Sequence, residues 1–231
     1  MGLDYNREVV EVAFSAIVVG NGPSIWGSHR GSFIDSHDWV IRLGAFRKAY
    51  NIWDYGRKTN SIMIPNTLCW RMIGHSFIPN VEFWIGYKFG PKYGTVGVSG
   101  SSTDKECGCN IPENPSKIIR LNTYGNKLVY FSVLFTHYKA LFSDKFENEY
   151  FFSKGTMAAL IAMDYLMPNR LVMIGCDNLK TGIQEPYMSF RFNFGTNKTE
   201  TGEVTSQHLW WFEHKLIEKA SQNYPVEVVY V

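Results

Sequence analysis

The fold of this 231-residue chain is decided by the stretch Ala16-Ile-Val-Val-Gly-Asn-Gly-Pro-Ser24, which a second apolar run, Trp39-Val-Ile-Arg-Leu43, follows. The first run ends in two glycines around an asparagine, a pattern typical of a buried β-strand that leads into a tight turn. In open α/β sheets the ligand crevice lies at such carboxyl ends, where bare backbone can approach an anion closely. The turn therefore predicts a nucleotide site.

The same turn departs from the dinucleotide fingerprint G-x-G-x-x-G. Position 25 is Ile rather than Gly, and Pro23 lacks a backbone donor. No G-x-x-x-x-G-K-[ST] sequence occurs, so a P-loop kinase or GTPase has no support. Gly-Asn-Gly alone is a weak signal, because many such turns bind nothing.

The composition indicates a globular chain with an ample core, since 45% of the residues are hydrophobic and 16% aromatic. A net charge of +2 gives no case for nucleic acid as a partner. A cluster of basic residues is expected to form a solvated face or to steer phosphate: Arg42, Arg47, Lys48, Arg57 and Lys58. No apolar run reaches the roughly 20 residues of a membrane span, and the N-terminus lacks a signal-peptide core.

The four cysteines predict no metal site. Cys107-Gly-Cys109 is too short for a C-x₂-C pair, and the remaining two, Cys69 and Cys176, do not complete a set of ligands. Without a secretory signal, reduced thiols in a cytoplasmic protein are expected. No Asp-x-Asp occurs either, which disfavours a metal-dependent sugar-nucleotide transferase.

Apolar runs and amphipathic stretches alternate along the chain, which predicts a parallel sheet wrapped by helices. The predicted strands cover residues 12–19, 39–43, 61–64, 81–87, 127–133, 171–174 and 226–231, and the predicted helices cover 156–166 and 206–221. We expect a single doubly wound, Rossmann-like α/β domain over residues 1–231. Residues 90–115 and 182–204, rich in Gly, Ser, Pro and charge, are predicted to be long lid or acceptor-recognition loops.

Three segments resemble motifs of the animal-type sialyltransferases. Residues 16–42 resemble the large sialylmotif, which runs from a Val-Val-Gly-Asn core through Ile-Asp-x-His-Asp to Val-x-Arg. Ser153-Lys-Gly155, the apolar helix after it and Leu171-Val-Met-Ile-Gly175 resemble the small sialylmotif. His208 and Glu213 reproduce its His-x₄-Glu ending. The motifs follow one another in the expected order.

Two segments are similar to the small bacterial branch of the same superfamily. Gly20-Asn-Gly-Pro-Ser24 resembles its opening, and Ile64-Pro-Asn66 resembles the segment whose asparagine contacts the nucleotide. The resemblance implies a sialyltransferase-type glycosyltransferase fold. It also implies transfer of sialic acid from CMP-sialic acid to a hydroxyl of an acceptor glycan, with inversion and with neither metal nor cofactor.

The chain departs from the family at several positions. Ser15 and Met167 stand near the motif cysteines of the animal enzymes, so their disulfide is absent, which favours a microbial or viral cytoplasmic enzyme. Gly44 occupies the place of an asparagine that contacts the nucleotide, which leaves the exact donor sugar open. The additional histidine of the animal enzymes has no clear counterpart, and Tyr187 is expected to act instead on the leaving phosphate.

His208 is the predicted general base, because the ordinary imidazole pKa lies near neutrality. It falls in the first turn of a predicted helix that Thr205 or Ser206 can cap, and the positive end of the helix dipole favours the neutral ring. Glu213, five residues on, is expected to bind backbone or anchor the loop rather than to orient the imidazole. His37 is expected to be structural, joined to Asp35 or Asp38.

The remaining site residues are predicted to bind substrate. Asn21 and the Gly22 amide would reach the phosphate or ribose, Asn66 the phosphate, and Asp177 a hydroxyl of the ribose or the acceptor. The helix that begins near Ser153 would offer free N–H groups to the sugar carboxylate or the cytidine. The full predicted binding set is Asn21, Gly22, Pro23, Ser24, Arg42, Asn66, Ser153, Lys154, Gly155, Thr156, Asp177 and Glu213.

Two alternatives stay open at this point. One is another nucleotide-sugar transferase or a donor hydrolase on the same fold, and the other is a nucleotide-binding module without turnover. The expected partners are a nucleotide-sugar donor and a glycan acceptor. A peripheral membrane contact, the acceptor, the linkage and the oligomeric state are left open.

Overall fold

A computed structural model describes residues 13–43, 51–64, 81–86, 119–123, 126–131, 152–182, 187–193, 198–204 and 210–231. Its strands are β1 Ser15–Val19, β2 Trp39–Leu43, β3 Ser61–Ile64, β4 Glu82–Gly86, β5 Ile119–Thr123, β6 Asn126–Phe131, β7 Arg170–Ile174, β8 Tyr187–Asn193, β9 Lys198–Val204 and β10 Glu227–Tyr230. Its helices are α1 Gly31–Asp35, α2 Ile52–Tyr55, α3 Lys154–Ile161, α4 Asp177–Thr181 and α5 Trp210–Ser221. A 3₁₀ turn covers Pro23–Ile25, and a π turn, Ala162–Leu166, extends α3.

Eight of these strands form one sheet in the order β10-β7-β1-β2-β3-β4-β6-β5. All its pairings are parallel except that of β5 with β6. The chain therefore runs outward from β1 in one direction and returns to β7 on the other side of β1. This reversal makes the β1–β7 boundary the switch point at which ligands bind in open α/β sheets.

Alternate residues of the central strands pack on opposite faces of the sheet, as strand geometry requires. Ala16 and Val18 join the core beneath α3 and α5. Ile17 and Val19 join a second core that includes Ile34. Because both faces are covered, the predicted doubly wound α/β fold is confirmed.

The two longest described helices differ in character. α3 begins at an N-cap, Ser153, and is buried along nearly its whole length, as an apolar helix should be. Its extension ends where Met167 adopts a left-handed conformation (φ 48°) just before Pro168. α5 is amphipathic, and the predicted apolar face that includes Phe212, Leu216 and Ala220 is buried. No described helix is long and apolar enough to span a bilayer.

The structure also differs from the sequence prediction. β5 was not predicted, and its antiparallel pairing follows from the two-residue connection that joins it to β6. Within residues 182–204, predicted as a loop, β8 and β9 pair as an antiparallel two-stranded sheet. The loop predicted at residues 90–115 lies outside the described residues, and a single domain over residues 1–231 stays a prediction.

Candidate active site

The carboxyl ends of β1 and β7 meet through glycine backbone. The Gly20 amide donates to the Ile174 carbonyl oxygen at 2.8 Å, and the Gly22 amide donates to that of Gly175 at 2.8 Å. A Cβ atom on Gly20 would lie 2.2 Å from the Gly175 carbonyl oxygen, so no other residue fits this approach. Gly175 itself has φ +64°, which favours glycine. The Gly22 amide, which was predicted to reach the phosphate, here donates to the protein backbone instead, and its contact with phosphate stays a prediction.

Asp177 joins the two turns. Its Oδ2 accepts from the Ser24 amide at 3.0 Å, and its Oδ1 accepts from the Ser24 hydroxyl. A Cβ atom on Gly22 would lie 2.5 Å from Asp177 Oδ2, so the carboxylate occupies the space that a side chain at position 22 would need. Asp177 was predicted to bind a substrate hydroxyl, but here both carboxylate oxygens bind Ser24. Pro23 is exposed beside this contact.

The Asn21 segment and the start of α3 lie at the same edge of the sheet. The Asn21 side-chain amide donates to the Leu43 carbonyl oxygen, at the end of β2, over 3.4 Å. A Cβ atom on Gly155 would lie 3.7 Å from Leu43 Cδ1 and 2.6 Å from Leu179 Cδ1. The end of β2 is therefore bonded to Asn21 and lies close to the start of α3, so these two segments are neighbours.

A buried network fixes the start of α3 to α5. Ser153 Oγ accepts from the Thr156 amide at 3.2 Å and donates to Thr156 Oγ1 at 3.1 Å. The Ser153 amide donates to the Glu213 carboxylate at 3.0 and 3.1 Å, and the Thr156 hydroxyl donates to the same carboxylate. Glu213 and Thr156 are both 0% exposed. The expectation that Glu213 binds backbone is confirmed, whereas its place in the substrate-binding set is not supported.

The same network uses two of the amides at the start of α3 that were predicted to bind an anion. The amides of Ser153 and Thr156 both donate to protein oxygens, so they do not bind an anion in this conformation. Lys154 is half-buried, and Gly155 is buried. Binding through the Lys154 and Gly155 amides stays a prediction.

Arg42 is a scaffold residue rather than part of a solvated basic face. Its side chain is 0% exposed. Its Nε donates to Thr59 Oγ1 at 2.8 Å, and its Nη2 donates to the Lys58 carbonyl oxygen at 2.7 Å. The guanidinium thus holds the backbone that enters β3. Direct contact of Arg42 with substrate is not supported by this geometry.

The remaining polar residues of the first motif also serve the scaffold. His37 is buried, and its Nδ1–H donates to the Phe33 carbonyl oxygen at 2.9 Å. His37 is therefore structural as predicted, but its partner is neither Asp35 nor Asp38. Asp38 instead accepts from the amide and the hydroxyl of Ser15, both at 2.8 Å, and these bonds hold the pKa of its carboxyl below the usual value.

Metal and thiol chemistry receive no support within the described part of the chain. No group of three or more His, Cys, Asp or Glu residues there is placed to hold a metal ion. Cys176 is free, and burial together with the neighbouring Asp177 charge raises the pKa of its thiol to about 12. Cys176 is therefore protonated at neutral pH and a poor nucleophile.

Several predicted site residues are not among those that the structure describes. Asn66, Gly44 and His208 lie outside the described residues. The backbone of Tyr187 is described, and it opens β8 opposite Val204. β8 lies against the Pro23–Ile25 turn, so the hairpin is next to the segment that carries Ser24.

Sequence reasoning missed how residues beside the site are held in place. The backbone contact of Gly175 with Gly20 had one visible signal, a glycine directly after an apolar strand. The sequence gives no signal of a second contact, in which Phe14 and Asn169 exchange hydrogen bonds. In that exchange the Phe14 amide donates to Asn169 Oδ1 at 2.8 Å, and the Asn169 amide donates to the Phe14 carbonyl at 2.9 Å. It ties the entry of β1 to the entry of β7, near Ser15 and Met167.

Comparisons with known proteins agree with this architecture. Residues 12–83 match the model of glycosyltransferase family 29 (sialyltransferase), a segment that contains β1 to β3 and the first turn. This segment, which covers less than half of the chain, is therefore similar to the corresponding part of that family. The resemblance to the sialyltransferases that the motifs indicated is confirmed, and the sequence has no match among curated proteins.

Two solved structures are similar to this chain. One is a mammalian sialyltransferase in complex with Gal-β-1-3GalNAc-ortho-nitrophenol, at 15% identity and a TM-score of 0.51, over 94% of this chain and 69% of that one. The other is a mammalian sialyltransferase at 15% identity and a TM-score of 0.42, over 94% of this chain and 68% of that one. At this identity the first likeness shows the fold alone.

Proposed function

We propose that this chain transfers sialic acid from CMP-sialic acid to a hydroxyl of an acceptor glycan, with inversion and without metal or cofactor. The observation that carries the proposal is the meeting of the Asn21 turn and the start of α3 at the end of β2, beside the β1–β7 switch point. Ligands of open α/β sheets bind at such a point. The matching family segment, residues 12–83, contains the same turn.

The donor would lie along this edge of the sheet. Asn21 and Asn66 would hydrogen-bond the nucleotide and its phosphate. The Lys154 and Gly155 amides, at the positive end of α3, would face the carboxylate of the sugar. Arg42 and Glu213 act at a distance, because the first fixes the entry of β3 and the second fixes the start of α3.

His208 would remove the proton from the acceptor hydroxyl. It stands two positions before Trp210 in the sequence, and α5 is attached to the start of α3 through Glu213. The proposal therefore requires His208 at the edge that holds Asn21. A neutral imidazole is needed for this task, and the positive end of a helix favours it.

Tyr187 and the β8–β9 hairpin would form the opposite wall. Tyr187 would donate a hydrogen bond to the departing phosphate as negative charge grows on it. The hairpin backbone lies against the Pro23–Ile25 turn, which suits an element that covers the donor and contacts the acceptor. The cytoplasmic, reducing setting stays part of the proposal, and fractionation of the native source tests it.

The direct test is incubation with CMP-sialic acid and a set of galactosides, with CMP release and product mass followed together. A sialyltransferase yields equal amounts of CMP and sialylated product, unchanged by EDTA. CMP release without a sialylated galactoside would indicate the second candidate, a donor hydrolase, which Gly44 in place of the family asparagine favours. CMP binding without release would indicate a module without turnover. Activity lost in EDTA and restored by Mn²⁺ or Mg²⁺ would contradict the metal-independent reaction.

The base is tested by His208→Ala. Turnover is expected to fall by about 10²–10⁴-fold with CMP affinity nearly unchanged, since the ring would contact the acceptor rather than the nucleotide. The wild-type rate should fall on the acid side as the imidazole protonates, and the variant should lack that limb. His214→Gln is the matched control on α5. The Nδ1–H of His214 donates to the Leu179 carbonyl oxygen at 2.6 Å, so this histidine serves the scaffold and not the proposed proton transfer. Near-normal turnover in His208→Ala would remove His208 from the mechanism.

A further inference from the structure

Ser24 and Asp177 form a contact between segments that are 153 residues apart in the chain. One carboxylate oxygen accepts from the Ser24 amide and the other accepts from the Ser24 hydroxyl. Ser24 follows β1 and Asp177 follows β7. The pair therefore joins the two turns just beyond Val19 and Ile174, the last residues that pair between the strands.

The contact lies close to Asn21, which is predicted to bind the nucleotide. Asn21 lies between two glycines whose amides donate to the end of β7, Gly20 to Ile174 and Gly22 to Gly175. The Asp177 carboxylate fills the space beside Gly22, and its bonds to Ser24 fix the turn on the far side. The backbone on both sides of Asn21 is therefore held by the end of β7 and by Asp177.

We propose that Asp177 is a positioning residue, whose carboxylate binds Ser24 and thereby fixes the turn that presents Asn21 to the nucleotide. The inference rests on the proposed function, since it assigns Asn21 to the donor. A direct role for Asp177 on a substrate hydroxyl would require Ser24 to be displaced. A positioning role depends on the bond to Ser24 and not on the carboxylate charge. A direct role depends on the carboxylate charge and not on Ser24.

The variants separate these roles. Asp177→Asn retains both bonds, because its amide oxygen accepts from the Ser24 N–H and its NH₂ donates to Ser24 Oγ. Asp177→Ala and Ser24→Ala each remove the hydroxyl–carboxylate bond. A positioning role predicts that CMP affinity falls about tenfold in Asp177→Ala and by a smaller factor in Ser24→Ala, which keeps the amide bond. It also predicts that the two losses are not additive in the double variant, and that Asp177→Asn retains near-normal affinity.

Asp38 provides a matched control. Its carboxylate also accepts from the amide and the hydroxyl of a serine, Ser15, but at the amino end of β1. Asp38→Ala should therefore destabilise the same strand without changing the affinity for CMP. A tenfold loss in Asp38→Ala would show that general destabilisation, not positioning, accounts for the effect of Asp177.

The experiment combines calorimetric titration of CMP, steady-state kinetics with the donor, and hydrogen–deuterium exchange of the peptide that contains residues 20–24. We expect Asp177→Ala to raise the KM for the donor more than it lowers kcat, and to speed exchange in that peptide. Normal affinity in Ser24→Ala with a large loss in Asp177→Asn would overturn positioning in favour of a direct ligand. Unchanged exchange in Asp177→Ala would overturn it as well. If the wild type binds no CMP while exchange responds as expected, the proposed function fails and the positioning of the turn stands.

Discussion

Replacement of Glu213 is the sharpest test of the scaffold that positions the site. The carboxylate is fully buried and accepts from the Ser153 amide and the Thr156 hydroxyl, which attaches the first turn of α5 to the start of α3. Hydrogen bonds to charged groups contribute about 1.5–3 kcal/mol each, and a buried donor left without its acceptor costs about 1–3 kcal/mol. Glu213→Ala leaves two such donors and a small cavity. We expect a loss of about 3–5 kcal/mol in the free energy of unfolding.

Glu213→Gln should cost less, because glutamine has nearly the same volume. Its amide oxygen can accept from the Ser153 amide while its NH₂ donates to Thr156 Oγ1. We expect a loss of about 1–2 kcal/mol, since only the charge-assisted part of the bonds is removed. For a chain of this size about 1 kcal/mol corresponds to about 2–4 °C in Tm, so the alanine variant should melt on the order of 10 °C lower.

Urea unfolding followed by tryptophan fluorescence measures these losses. Glu218→Ala is the matched control, because Glu218 is an exposed carboxylate on the same helix and its replacement should change stability by no more than about 0.5 kcal/mol. A Glu213→Ala variant within about 0.5 kcal/mol of the wild type would refute the reasoning. It would mean that the buried network does not hold α5 against α3.

Three further outcomes are expected. Tyr187→Phe should lower kcat by about 10²–10³-fold with little change in CMP affinity, because a donor to developing phosphate charge contributes about 2.7–4 kcal/mol, and an unchanged kcat would remove Tyr187 from the site. Gly20→Ala should prevent folding or shift Tm strongly downward, since its Cβ would lie 2.2 Å from the Gly175 carbonyl oxygen, and a wild-type Tm would contradict that packing. The free energy of unfolding should fall as pH rises from 9 toward 12, because the Cys176 pKa is about 12 in the folded protein and the unfolded chain releases that proton first. Burial raises the Tyr230 pKa in the same direction, so the decline should be shallower in Cys176→Ala and in Tyr230→Phe, and an unchanged slope in both would contradict this account.

Local sequence patterns predicted the central strands well. The bounds of β2 and β3 coincide with the apolar runs at residues 39–43 and 61–64, because each run has a polar residue before it and a glycine or proline after it. β8 differs from the predicted loop because the residues around it hide its strand pattern. Its sequence alternates Met188, Phe190 and Phe192 with other residues, which is a strand signal, but the Gly-rich and charged surroundings favoured a loop.

The meeting of the site segments was predictable, and the roles of the side chains were less so. Carboxyl ends of parallel strands share an edge, so the Asn21 turn and the turn after β7 had to be neighbours. The sequence states which groups a side chain carries but not how deeply it is buried. Arg42 and Asp177 could both bind an anion or a hydroxyl in principle, yet one binds the entry of β3 and the other binds Ser24.

The topology explains why side-chain bonds are needed at the switch point. After β1 the chain turns into the core that contains Ile25, and after β7 it turns into the opposite core, which contains Leu179. Two neighbouring strands therefore send their connections to opposite faces, and backbone pairing ends where a crevice can open. At the bottom of this crevice the amides of two glycines bond to the end of β7, and beyond them Ser24 and Asp177 join the two turns. Since the Glu213 network does not require bound nucleotide, its contribution to stability and the contribution of Asn21 to nucleotide affinity should be separable. Replacing Asn21, the proposed ligand of the nucleotide, should weaken CMP binding with little loss of stability, whereas replacing Glu213 should do the reverse.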